Sequence, residues 1–149
     1  MNIIYLIIAI FINSYAFSDE KTSSYFFVDS DKLIISDTPL VSEFIGNAYA
    51  RNDINNFWGD KILIDYDDEK KIRLITIIGN VIIKRPDEKV TGNKAIYNPK
   101  LEKIRVIGEV VVIKDGNILK GDELIVDLLA STSIIKGNSD NQVSAKVIE

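Results

Sequence analysis

The 149-residue sequence contains no cysteine and no histidine. Without cysteine there is no disulfide framework, no thiol nucleophile and no thiolate metal site. Without histidine the commonest general base and the commonest metal ligand are both missing. The chain therefore reads as a non-enzyme with no metal and no cofactor. A basic footprint is lacking too: 18 Lys and Arg stand against 22 Asp and Glu, a formal charge of −4, so nucleic acid is not an expected partner. No glycine-rich phosphate loop occurs, so the sequence offers no nucleotide site of that kind.

One long apolar run is present, at the start. Residues 3–12 of "MNIIYLIIAIFINSYA" carry no charge and lead into Ser14-Tyr15-Ala16. Small residues at the third and last positions before a cut are what signal peptidase reads. The expectation is a cleaved export signal over residues 1–16 and a single mature domain over 17–149, placed in the periplasm. An uncleaved membrane anchor is the alternative, although the run is short for about 30 Å of hydrocarbon.

Glycine is scarce, with eight in the chain, and its spacing is a ruler. Glycines at 46, 59, 79, 92, 108, 121 and 137 are separated by 13, 20, 13, 16, 13 and 16 residues. One short and one long gap make a tandem unit of 29 residues, and one copy has four extra residues near "DDEKK", 67–71. The stretches "SDKLIIS", "GDKILID", "GNKAIYN" and "GDELIVD" superimpose in that register. A repeat of this length is one supersecondary unit that needs its neighbours to bury a face.

Each unit reads as two strands. In "LITIIGNVIIK" the residues Ile75, Ile77, Gly79, Val81 and Ile83 share one face, and in "IRVIGEVVVIK" Ile104, Val106, Gly108, Val110 and Val112 do the same. Alternation of β-branched residues is a strand signal. The other inward sets are Leu33, Ile35 and Phe44, then Ile62 and Ile64, then Tyr97, then Leu124 and Val126. Asn98-Pro99 and Asp115-Gly116-Asn117 are turn signals. The pattern predicts ten to twelve short strands in an all-β roll, sandwich or solenoid, with no helix after residue 17. Glycines in the inward column either let the sheet bend or leave room for a ligand.

Residues 90–128, "VTGNKAIYNPKLEKIRVIGEVVVIKDGNILKGDELIVDL", resemble the OstA-like repeat of the LptA family of lipopolysaccharide-transport proteins. The matching positions are Gly92-Asn93, Tyr97-Asn98-Pro99, Gly108, Gly121-Asp122 and Leu124 to Leu128, and "VDSDKLIISD" is similar to the strand that opens the family's domain. The resemblance implies an open, V-shaped β-jellyroll whose apolar inside takes the acyl chains of lipid A. The inward residues above would line that groove. It also implies an N-terminal edge that adds to an LptC-like inner-membrane protein, and a C-terminal edge that adds to an LptD-like outer-membrane protein. Head-to-tail self-association would use the same edges. Here the edges fall at Tyr25–Ile35, with Phe27 and Asp29, and at Gln142–Ile148. In the latter, Val143, Ala145 and Val147 alternate with polar residues. The rival readings are a membrane-tethered LptC-like subunit and a secreted structural β-solenoid.

Three further clusters read more plainly. Asp60, Asp65, Asp67 and Asp68 lack the glycine and closing glutamate of a calcium hand loop and read as solvated strand ends and a turn. Trp58 reads as core or strand-end packing. Lys84, Arg85 and Lys89 flank Pro86 and read as a solvated hairpin, with lipid phosphates as the alternative contact. For the export signal, amino-terminal sequencing of the exported protein should give Phe-Ser-Asp-Glu, starting at Phe17; an intact Met1 on membrane-held protein reverses that expectation.

Overall fold

The computed structural model describes residues 26–52, 55–130 and 132–148, so the apolar run and the cut after Ala16 lie outside the described residues. Ten strands form a single antiparallel sheet: β1 (Phe27–Asp29), β2 (Lys32–Asp37), β3 (Leu40–Asn52), β4 (Asn55–Tyr66), β5 (Ile72–Arg85), β6 (Glu88–Asn98), β7 (Lys103–Lys114), β8 (Asn117–Asp127), β9 (Thr132–Lys136) and β10 (Ser144–Lys146). Strands β3 to β8 follow one another as hairpins. Each end of this meander is covered by two short strands. β1 pairs with Tyr49–Arg51 and β2 with Leu40–Ile45 of β3; β9 pairs with Glu123–Asp127 and β10 with Ile118–Lys120 of β8.

The expectation of short strands is corrected, since β3 to β8 run 11 to 14 residues each. The reason is that the repeat glycines bend the strands without ending them. Every pairing from β3–β4 to β7–β8 skips register at these glycines. On β3, β5 and β7 the skip holds two successive left-handed residues: Gly46-Asn47, Gly79-Asn80 and Gly108-Glu109, with φ between 45° and 83°. An extra residue on one strand bends it and raises the local twist. Because the bulges lie side by side, they form one crease across the sheet.

Polar side chains lock the crease from outside. Asn47 Nδ2 donates to Asp31 Oδ2 at 2.8 Å, and Asn80 Nδ2 donates to both Asp60 oxygens at 3.0 and 3.2 Å. At Gly79, φ +78°, a Cβ would run into that same Asp60 carboxylate. The inward column therefore skips Gly79: its missing side chain lies against the outer crease, between the inward-facing Ile77 and Val81. Partner-strand glycines do the opposite job. A Cβ on Gly59 would lie 2.5 Å from Ile77 Cγ2, and one on Gly92 2.6 Å from Val106 Cγ1. The space these glycines leave is filled by the next strand's side chain, so they serve the bend and its packing.

Bending brings the two halves of every long strand together over one core. Ile62, Ile64, Ile75, Ile77, Val106, Leu124 and Val126 from one side of the crease share a cluster with Ala48, Ala50, Val81, Ile83, Val90, Val110, Val112 and Leu119 from the other. The first half carries β2 and β9, and the second carries β1 and β10. Hairpin turns therefore line up along two lips. The first lip holds the turns β2–β3, β4–β5, β6–β7 and β8–β9, and the second holds β5–β6 and β7–β8.

The four-residue insertion is shared out. The turn at 67–71 has one residue more than the turn at 99–102, and the flanking ends of β4 and β5 take up the rest. Asp67 organises it by accepting the Glu69 and Lys71 amides at 3.0 and 2.9 Å. Asp115-Gly116, both at positive φ, close the β7–β8 hairpin as the primed two-residue turn that matches strand twist. Trp58 sits on the outer face of β4 against Tyr49, ring centroids 5.1 Å apart, and not in the core. Its side-chain parity is opposite to that of Phe57 and Gly59.

Gly79→Ala should cost on the order of 2 kcal/mol, from a left-handed backbone and a blocked Asp60 contact together. Urea unfolding measures this; a midpoint equal to that of the parent chain would remove the crease from the account of stability.

A continuous apolar interior between two unlike lips

The inner face is built by strand parity. Across β4 to β8, Ile62, Ile77, Ala95, Val106 and Leu124 are opposite one another in successive registers, as are Ile64, Ile75, Tyr97, Ile104 and Val126. In the second half Ile83, Val90, Val112 and Leu119 form a comparable row. Of the predicted groove residues, Ile62, Ile64, Ile75, Ile77, Val81, Ile83, Val106, Val110, Val112, Leu124 and Val126 lie on this face and are at most 8% exposed. Phe44, Tyr97 and Ile104 pack against them, partly buried. Leu33 and Ile35 sit on the same side, opposite Phe44 and Ser42, yet are 49% and 65% exposed. Among the described residues no strand lies beyond β2, and the inner apolar surface is exposed there.

Sequence parity missed several inner residues: Ala48, Ala50, Val90 and Leu119 are buried, and Phe57 and Ile135 pack on the core. Their strand halves read as polar, as in "EKVTGN", where only Val90 signals the inner face. An Asp or Asn follows Ser30, Gly59, Gly92 and Gly121, at 31, 60, 93 and 122, and the sequence reading gave it no part in a bend. That recurrence was the available signal for the crease contacts.

The edges are shorter than expected. At the C-terminal end only Ser144–Lys146 pair, with Ala145 opposite Leu119, while Val143 and Val147 flank the strand at 46% and 51% exposure. Strand β9 is a second edge on that end, which the sequence reading did not pick out. At the N-terminal end, Phe27 and Asp29 pair with Arg51 and Tyr49 and turn outward; the Arg51 guanidinium lies 5.0 Å from the Phe27 ring centroid.

The outer surface is polar where cross-strand charges meet: Glu43 with Lys61, Asp65 with Arg73 at 3.6 Å, Asp127 with Lys103 at 3.3 Å and Glu123 with Arg105. Asp127 also accepts the Ala130 amide at 2.9 Å, and this contact, with Lys103 adding to it, holds its carboxyl below the ordinary range. The four acidic residues grouped in the sequence disperse, with Asp60 at the crease, Asp65 on an ion pair and Asp67 in a turn. Two shallow clefts of about 290 and 270 Å³ lie on the outer side of the crease, around Asp122 and Asn93, away from the apolar face.

The lips differ. The inner side of the first lip carries Tyr66, Ile72, Tyr97 and Leu128, all packed on the core. On the second lip, Arg85 pairs in register with Glu88, and Glu88 with Lys114. Arg85 thereby separates from Lys84 and Lys89, which pair with each other on the opposite face. Glu88 is 7% exposed, and its Oε1 has no hydrogen-bond partner. Burial outweighs the attraction of Lys114 and Arg85 and pushes its carboxyl from 4.5 up to about 7.

The comparisons with known proteins bear on the fold and the family. Residues 27–132 match the family described as LptA/(LptD N-terminal domain) LPS transport protein. The chain belongs to this family. No curated protein sequence matches it. Its fold is similar to the crystal structure of LptH, the LptA-homologous periplasmic component of the lipopolysaccharide transport device of Pseudomonas aeruginosa. The TM-score is 0.73 at 16% identity, over 84% of this chain and 96% of that one. The open antiparallel jellyroll that the resemblance implied is thus the fold found.

Glu88 carries a pH consequence. Its carboxyl ionises less readily in the fold than in the unfolded chain, so the penalty is absent below pH 4.5 and complete above about pH 7. Relative to the parent, Glu88→Gln should gain stability over that window, by up to about 3 kcal/mol. Chemical unfolding of both proteins at pH 4 and pH 8 tests it; a difference that does not grow with pH contradicts the assignment.

Proposed function

We propose that the chain carries lipopolysaccharide across the periplasm as one link of a protein bridge, holding the acyl chains in the apolar interior and leaving sugars and phosphates at the lips. The observation that carries this reading is the inner apolar face, which runs without interruption from β3 to β8 and surfaces at Leu33 and Ile35. Each exposed methylene costs about 0.8 kcal/mol, so a lipid moving through water needs a lining that does not break. Family membership supports the same cargo. The activity is transport and not catalysis, with cleavage after Ala16 releasing the mature chain of residues 17–149.

The central inner residues exclude water, with Ile62, Val81 and Val106 each 1% exposed. Acyl chains would therefore enter by parting the two halves along the lips, with the crease as the hinge line. The same close packing favours the second reading, a structural element with a permanently dry core. A photo-crosslinking residue at Ile77, Val106, Val110 or Leu124 should capture lipopolysaccharide during ATP-driven transport, whereas Thr76 and Arg105 should capture little. Equal labelling at both parities, or none at either, removes the carrier reading.

Partners would add at the ends. β1 and β2 are available to an LptC-like strand, β9 and β10 to an LptD-like strand or to the next copy of this chain. Proline removes a backbone donor without changing charge. Ser144→Pro or Lys146→Pro should leave circular dichroism unchanged, because β10 is three exposed residues, and should weaken crosslinking from position 145 to the partner. Unimpaired assembly would show that β10 is not a docking edge.

A further inference from the structure

We propose that the outer side of the crease is a binding track for an extended, β-1,4-linked glycan, which lies across strands β3 to β8 on the face opposite the apolar interior. This goes beyond the carrier reading and does not depend on it.

The repeat sets equivalent residues at equivalent points of successive hairpins. Beside the crease one outward row runs Tyr49, Trp58, Ile82, Thr91, Val111 and Lys120, each opposite the next. It divides into one pair on each of β3–β4, β5–β6 and β7–β8. At the first pair the rings of Tyr49 and Trp58 stand 5.1 Å apart, and Tyr49 donates to Asn56 Oδ1 at 2.6 Å. Next to the second pair lies the cleft of about 270 Å³, whose polar lining is Asn80, Thr91, Asn93 and Glu109. Next to the third lies the cleft of about 290 Å³, where Glu109, Lys120, Asp122, Asn141, Gln142 and Ser144 meet. Successive stations are two strand widths apart, about 9.6 Å. That is close to the disaccharide repeat of an extended β-1,4-linked chain, whereas α-1,4-linked chains coil.

The chemistry of the lining suits sugar hydroxyls. Amides and hydroxyls both donate and accept, as a sugar's own groups do, and carboxylates accept strongly. The aromatic pair, with Ile82 and Val111 further along the row, offers apolar surface to the C–H face of a sugar ring. Of the crease carboxylates, Asp31 and Asp60 are taken by the amides of Asn47 and Asn80. Asp122 is not: Asn138, in the matching place after Gly137, instead turns its Oδ1 to the Asp140 and Asn141 amides at 2.8 Å each. Asp122 Oδ2 has no hydrogen-bond partner. Glu109 stands where the other bulges carry asparagine; it is exposed and lines both clefts. An anionic ligand would meet Glu109 in either cleft, so the track favours an uncharged chain.

The test uses the purified exported protein and follows the emission of Trp58, its only tryptophan. Tetraacetylchitotetraose should shift that emission and bind about tenfold more tightly than diacetylchitobiose, because it reaches a further station and its hydrogen bonds. Maltotetraose, an α-linked chain of the same length, should leave the emission unchanged. Deacylated lipopolysaccharide should not displace the tetraose at equal concentration, which separates a cell-wall type of glycan from the sugars of the proposed cargo. By calorimetry, Glu109→Gln should weaken the tetraose about tenfold, the worth of one charge-assisted hydrogen bond, and Trp58→Ala should weaken it by a similar factor. Lys100→Gln, an exposed change in the β6–β7 turn, should have no effect. If Trp58→Ala misfolds, Glu109→Gln decides alone. The track is overturned if the parent does not bind the tetraose, or binds it no better than the disaccharide or maltotetraose. Unchanged affinity in Glu109→Gln, or displacement by deacylated lipopolysaccharide, overturns it equally, and none of these outcomes touches the carrier reading.

Discussion

The crease is the constraint on which the rest of this molecule depends. A flat antiparallel meander of six long strands would expose its apolar face over its whole area. Only by bending every strand at the same level does the sheet gain a second half to cover the first. The bend is made by paired left-handed residues, Gly46-Asn47, Gly79-Asn80 and Gly108-Glu109, set beside Asp31, Asp60 and Asn93 on the neighbouring elements. Glycine tolerates such φ values at no steric cost, and asparagine tolerates them better than other residues with side chains. The Asn47–Asp31 and Asn80–Asp60 hydrogen bonds then hold the bulges from outside. On the inside, Gly59 and Gly92 make room for Ile77 and Val106, so the same crease that folds the sheet also seats its core.

From this follows a slot with a closed bottom, two lips made of turns, and two ends made of edges. Apolar rows run along it because strand pairing repeats one register from hairpin to hairpin. The rows are tight in the middle and exposed at the β2 end, where, among the described residues, no further strand covers Leu33 and Ile35. Exposed backbone edges usually invite aggregation, and proteins blunt them with short strands and charge. Here the two ends are short strands in pairs, β1 with β2 and β9 with β10, and each pair spans both halves of the slot.

The sequence was legible where the physics is local. Period-two alternation around the glycines named the strands, and the 29-residue spacing named the unit. Parity placed Ile62, Ile77, Val106, Val110 and Leu124 on the inner face, where they are buried. It failed where composition hid parity: the second half of β3 and the first half of β6 carry so many polar residues that Ala48, Ala50, Val90 and Glu88 passed unnoticed. It also merged Lys84, Arg85 and Lys89 into one basic cluster, since adjacency in sequence does not show that neighbours on a strand face opposite ways.

What the sequence by itself determined is the repeat, the strand class and the side of the sheet taken by the apolar residues in the clearly alternating runs, because alternation and glycine spacing act over a few residues. What only the tertiary structure decided is the direction of the bend and everything across it. Gly79 occupies the inward parity, yet at φ +78° its side-chain position turns to the outer crease against Asp60. Glu88 became a buried acid between two cations because β5 and β7 pair on either side of β6. Those neighbours lie three to twenty-six positions away along the chain, and it is the hairpin register, a non-local property, that sets them side by side.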